Sequence, residues 1–204
     1  MAFIGKDGQF SFWQWMKSEH GFQDKSLRPY TFNMGPFLAD RKSVQQGYAF
    51  SEPIAIRNAA GFEPVVHLLA DHGFPTYATS IESRTDMVKN RPETVRRFIE
   101  ASIIGWNHFL YGKNDAAKQR ILQINPYASL AVQQGYIDRI KKLGLVDSED
   151  SLARGIGAID PARVKDFHDK MVKAGLYRSG QIDLSKVVDT RFVNQGTGVD
   201  IRKQ

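Results

Sequence analysis

The residues able to do chemistry gather in two stretches of this 204-residue sequence. The first is Gly8-Gln9-Phe10-Ser11, followed at once by Phe12, Trp13, Trp15 and Met16. A glycine turn that opens a helix leaves backbone N–H groups without intrahelical acceptors, and such groups attract anions and polar oxygens. Phe10, Phe12 and Trp13 set aromatic surface beside those donors. Plain core packing is the alternative. Phe12, Trp15 and Met16 already make an apolar helix face, which leaves Phe10 and Trp13 free for other work. The second stretch holds Tyr48, Ser51 and Glu52 ahead of Pro53. Glu52 follows a short strand candidate, and residues at strand ends of open α/β sheets line the ligand crevice. Asp71 has a similar place after Val65–Leu69. Spacing leaves three roles open: a catalytic carboxylate pair of Glu52 with Asp71, a polar ligand contact at Glu52, or a local structural cap.

Most catalytic classes lack their residues. The chain has no cysteine, which removes disulfides, thiolate nucleophiles and cysteine-held zinc or iron–sulfur centres. His20, His67, His72, His108 and His168 do not fall in a metal-binding spacing. No G-x-S-x-G elbow, P-loop or dinucleotide glycine fingerprint occurs, and Gly155-Ile156-Gly157 is a lone glycine pair. No catalytic residue, metal or cofactor is therefore expected. The formal charge of +6 and pI near 9.5 come from scattered Lys and Arg, apart from the short tail Arg202-Lys203. That pattern is a solvated surface rather than a nucleic-acid footprint. No stretch approaches the roughly 20 apolar residues that span a bilayer. Met1–Gly5 lacks the charged start and long apolar run of a signal peptide, which read literally places the chain in the cytoplasm.

The elements that position these residues read as follows. Residues 2–5 form a buried strand, and a turn at 6–11 leads to a helix starting at Ser11 and stopped by Gly21. Residues 27–33 form a strand with Pro29 at its edge. Residues 36–46 form a helix ending at Gly47, and 48–50 form a strand broken by Ser51-Glu52-Pro53. Val65–Leu69 reads as a buried parallel strand and Tyr77–Glu82 as another. The chain then turns helical. Asn90 and Pro92 open a helix whose buried face is Val95, Phe98, Ile99, Ile103, Trp106, Phe109 and Leu110, ended by Gly112. A second helix covers about 127–143. A third starts at Asp160-Pro161, turns Val164, Phe167 and Met171 inward and stops at Gly175. This is an α/β class with an appended helical part.

The run Val44-Gln45-Gln46-Gly47-Tyr48-Ala49-Phe50-Ser51-Glu52-Pro53 resembles a segment of the nitrate/sulfonate/taurine-type solute-binding proteins of ABC importers. That family includes binders of thiamine-precursor pyrimidines and of riboflavin. Leu68–Phe74, Tyr77–Ile81, Pro92–Ile103 and Gly105-Trp106 fit the same ordered pattern. The resemblance implies an incomplete type 2 periplasmic-binding fold. The second α/β lobe with the hinge return would cover residues 1–72, and the returning, mainly helical part of the first lobe would cover 73–204. The family's first pass through lobe one would be missing, leaving the helices at 92–111 and 161–174 without their sheet and the isolated chain a weak binder. It further implies a small polar solute held in an interlobe cleft by Gly8, Gln9, Phe10, Ser11, Trp13, Tyr48, Ser51 and Glu52, with Tyr77 near the hinge. The partners would be the permease and ATPase subunits, with membrane contact only through them, and the compartment would be the periplasm. A carboxylate at Glu52 suits an amine or the N–H groups of a heterocycle better than a bare anion. An enzymatic branch of the superfamily makes the thiamine pyrimidine, but it carries a cysteine-rich motif that this sequence lacks.

Overall fold

The computed structural model describes residues 1–203, the side chains of Glu149 and Lys203 aside. In chain order the elements are β1 (Ala2–Ile4), α1 (Lys6–Gln9), α2 (Phe12–His20), β2 (Leu27–Pro29), α3 (Gly35–Ala39), β3 (Val44–Gln45) and α4 (Glu52–Ala60). Then come α5 (Thr85–Asn90), α6 (Pro92–Tyr111), α7 (Asp115–Ile124), α8 (Leu130–Lys142), α9 (Glu149–Arg154) and α10 (Pro161–Lys173). The class is α/β, with one small parallel sheet of order β2-β1-β3 and helices elsewhere. The chain forms two compact units: Met1–Thr76 with Ala162–Val187, and Tyr77–Pro161 with Val188–Gln204.

In the first unit, β1 is the central strand. It pairs in parallel with β2 (Ala2↔Leu27 to Ile4↔Pro29) and with β3 (Ala2↔Val44, Phe3↔Gln45). Pro29 has no N–H to give the ladder, which suits its place on an outer strand. Ala2 and Ile4 alternate inward and pack on the fully buried Trp13 of α2. The opposite side of α2 buries Trp15 against Phe74 and Met171, with Phe167 and Leu176 alongside. These contacts draw 162–187 into the first unit, whereas a single continuous part over 73–204 was the expectation.

Several elements differ from the sequence reading, each for a local reason. The helix read at 36–46 stops at Ala39, where Asp40 turns extended and the Ser43 hydroxyl donates back to the Asp40 carbonyl at 2.6 Å. Residues 48–50 form a turn rather than a strand, because the Ser51 and Glu52 N–H groups both donate to the Tyr48 carbonyl. Pro53 then opens α4 instead of breaking a strand, since its missing N–H is dispensable in a first helical turn. Val65–Leu69 is not a strand. It runs extended with Val65 83% exposed and ends in a 3-10 turn at Leu69–His72. A short apolar run has no period to separate a strand from an extended loop. Residues 77–82 likewise pair with nothing in the sheet.

The second unit is helical. On α6, Val95, Ile103 and Leu110 are buried, whereas Phe98 and Trp106, expected inward, are exposed. Asn107 is fully buried in their place, donating to the Ile103 carbonyl at 2.9 Å with Gly198 packed directly on it. The Asp147 side chain is 2% exposed and lies 2.9 Å from Arg202 Nε, though that N–H does not point along the contact. Arg202 spends its other nitrogens on the Ser151 and Leu152 carbonyls. The Tyr111 hydroxyl donates to Asp147 at 2.9 Å. Burial, and then this carboxylate, push the Tyr111 phenol from its usual 10.0 up to about 12.

Two outcomes follow from this packing. A Cβ on Gly8 would come within 2.5 Å of the Phe12 ring and 2.6 Å of the Gln46 amide oxygen. Gly8→Ala should therefore cost about 1–3 kcal/mol in a denaturant titration, as overpacking does. The Tyr111 phenol stays protonated longer in the fold than in the unfolded chain. Its contribution is complete below pH 10.0 and is lost as pH rises towards about 12. Ultraviolet titration of Asp147→Asn should show Tyr111 ionising at a lower pH than in the parent.

Candidate functional site at the strand ends

Parallel strands end on one edge of their sheet, so the loops after β1, β2 and β3 emerge side by side on the first unit. Gln46, just past β3, ties two of them together. Its amide oxygen accepts from the Gly5 N–H at 2.7 Å, and its amide nitrogen donates to Asp7 at 3.2 Å. Glu52 braces the loop after β3 from within. One of its oxygens accepts from the Tyr48 N–H at 2.7 Å and from the Ser51 hydroxyl. Its side chain lies so close to Gly47 that a Cβ there would approach Glu52 Cγ to 2.8 Å. Glu52 thus holds the turn that leads into α4. Its second oxygen has no such bond.

Tyr30, past the end of β2, is nearly buried, and its N–H donates to the Ile4 carbonyl at 3.0 Å. Burial raises its phenol pKa, and the Glu52 charge raises it further. The result is a neutral O–H donor near a carboxylate acceptor. The loops of this edge also carry exposed aromatic side chains. Phe32 is 85% exposed, with its ring 5.4 Å from Tyr30, and Tyr48 is half exposed beside Phe50. Phe10, two residues beyond Gly8, is also exposed.

The site residues expected from sequence separate into groups. Tyr48, Ser51 and Glu52 come together at the end of β3, and Phe10 is free. Of the N–H groups expected to be open at Gly8–Ser11, those of Gln9 and Ser11 are spent inside the fold. Lys6–Gln9 coils into the short helix α1, so the Gln9 N–H donates to Gly5 and the Ser11 N–H to Gly8. The Gln9 amide turns back onto the Ile4 carbonyl and the Ser11 hydroxyl onto Asp7. Trp13 is not free either. It is 0% exposed, and its indole N–H donates to Asp24 at 2.8 Å. Tyr77 belongs to the second unit, where its hydroxyl accepts from the Asp160 N–H. Asp71 is exposed in its own turn, and no hydrogen bond joins it to Glu52. Asp7, Tyr30, Phe32 and Gln46 complete the edge. Gln46 stood inside the sequence run singled out above, but which amide of Gln45-Gln46 faces the loops is a matter of register.

Among the described residues no group of His, Cys, Asp and Glu is placed to hold a metal ion. The open concavity along Gly175–Gln181 is lined by none of the strand-end residues. No described helix is long and apolar enough to cross a membrane.

Comparison with known proteins gives a restricted picture. No family model and no solved structure matches the chain. Among curated proteins it is similar to riboflavin-binding protein RibY of Chloroflexus aurantiacus, 29% identical over 163 residues, covering 78% of this chain and 45% of that protein. The chain thus spans less than half the length of the curated relative it matches. The relative is a binding protein, in keeping with the coarser sense of the resemblance read from the sequence.

Replacing Glu52 by Ala removes the acceptor shared by Tyr48 and Ser51. The expected cost is about 1–2 kcal/mol, as for loss of a helix cap, read from the denaturation midpoint. The Tyr30 phenol should ionise at lower pH in that variant.

Proposed function

We propose that this chain is the solute-capturing part of a binding protein that serves an ABC importer, and that its strand-end edge contacts a ring-containing solute. The similarity to RibY carries the reading. The chemistry of the edge supports it. Exposed rings at Phe10, Phe32 and Tyr48 offer faces for stacking. The Tyr30 hydroxyl donates and the open oxygen of Glu52 accepts, a pairing that reads a heterocycle edge bearing both C=O and N–H. A carboxylate in that position repels small inorganic anions. Flavins and aminopyrimidines meet these terms, and an aminosulfonate meets them through its amine alone.

In this reading the protein adopts the type 2 periplasmic-binding fold, works in the periplasm and hands its solute to the permease and ATPase subunits. It is a binder and not an enzyme. The carboxylate that a reaction would call on, Glu52, is occupied in bracing its own loop.

Because the chain spans 45% of the relative, it is assigned a share of the contacts and weak affinity by itself. Titrating the chain into riboflavin should quench flavin fluorescence saturably, with a dissociation constant on the order of 0.1–1 mM, equivalent to roughly 4–5 kcal/mol. Nitrate and sulfate should not compete. Displacement of the flavin by those anions, or no saturable response to riboflavin, to an aminopyrimidine or to taurine, would overturn the proposal. Binding tighter than about 1 μM would contradict the partial share of contacts.

A further inference from the structure

Phe32 combines two unfavourable features. Its ring is 85% exposed, among the most exposed of the large apolar side chains. Its backbone has φ of 61°, in the left-handed region that a bulky residue rarely occupies. Among the described residues Phe32 is the non-glycine residue with such a backbone at the strand-end edge. The two other non-glycine residues with positive φ, Thr79 and Asn194, lie in the second unit, and asparagine tolerates the region well.

Neighbouring groups hold Phe32 in this state. Tyr30, two residues earlier, is fixed by the ladder bond to Ile4, and its ring lies 5.4 Å from that of Phe32 at 50°. On the far side the Asn33 side chain accepts from the Gly35 N–H at 2.9 Å and turns the chain into α3. Neither contact buries the Phe32 ring. A left-handed aromatic that contributes little to the core costs stability without return inside the fold. Strain kept at a strand end, next to a donor–acceptor pair, belongs to recognition.

We infer that Phe32 is the stacking platform of the strand-end site, held out over the end of β2 to take one face of a planar heteroaromatic ring while Tyr30 and Glu52 read that ring's edge. This rests on the solute-binding reading above and narrows it to aromatic solutes. Taurine, which has no ring, gains nothing from Phe32.

The test compares Phe32→Asn and Phe32→Trp with the parent chain, using riboflavin as the aromatic probe and taurine as the ringless one. Asparagine accepts the backbone conformation and removes the ring, whereas tryptophan keeps a ring. Phe32→Asn should melt at the same temperature as the parent or a few degrees higher, and should lose on the order of tenfold in riboflavin affinity, the loss typical of one stacking contact. Phe32→Trp should retain riboflavin affinity. Any taurine affinity should be equal in all three chains. Unchanged riboflavin binding by Phe32→Asn overturns the inference and leaves the solute-binding reading standing. A lower melting temperature for Phe32→Asn, with riboflavin and taurine binding reduced alike, also overturns it, since Phe32 would then serve the fold. If the parent chain binds taurine but neither riboflavin nor an aminopyrimidine, this inference falls alone, and if it binds none of the three, both readings fall.

Discussion

The packing of Trp13 on Ala2 and Ile4 is the contact on which the first unit depends. A strand of three residues makes few ladder bonds, and each is worth only about 1 kcal/mol net. Burying an indole contributes on the order of 4 kcal/mol, more than the ladder of so short a strand. The indole N–H donates to Asp24, so this burial leaves no polar atom unsatisfied. With α2 seated, β1 can be central and β2 and β3 can align beside it. Only then do three loops leave the sheet at one edge.

The edge shows the same division between groups spent on structure and groups left for a solute. The amide of Gln46 and one oxygen of Glu52 are committed to fixing the loops. Gly8 and Gly47 lack side chains because those two residues press on them. What remains exposed is the aromatic surface of Phe10, Phe32 and Tyr48, beside the second oxygen of Glu52. Such preorganised loops suit the recognition role proposed for this edge.

The legible part of this protein was whatever depended on local period and punctuation. Gly21, with φ of 69°, closes α2 where a left-handed cap was expected, and Pro161 and Gly175 bracket the last helix. The short apolar run at residues 2–5 marked β1. Tyr48, Ser51 and Glu52 hydrogen-bond to one another, but in a turn and not after the strand read from the sequence. Pro53 can end a strand or begin a helix, and only the bond from Ser51 and Glu52 back to Tyr48 decides. Trp13, read together with Phe10 as free, is buried for a similar reason, whereas Phe10 is exposed. Which side of a short aromatic helix meets the sheet depends on strands more than ten residues away in sequence. Phe32 gave no sequence signal, because left-handed strain on a non-glycine residue follows from its neighbours' constraints and not from its own type.

The central claim is that the edge formed by Tyr30, Phe32, Tyr48 and Glu52 meets a planar heterocycle directly. Intermolecular nuclear Overhauser effects between riboflavin ring protons and the assigned aromatic protons of the chain test it most directly. The account predicts cross-peaks to Phe32 and Tyr48, and none to Trp13 or to Tyr177 in the Gly175–Gln181 concavity. Cross-peaks confined to Tyr177, or to residues of the second unit such as Phe98 and Tyr127, would contradict it.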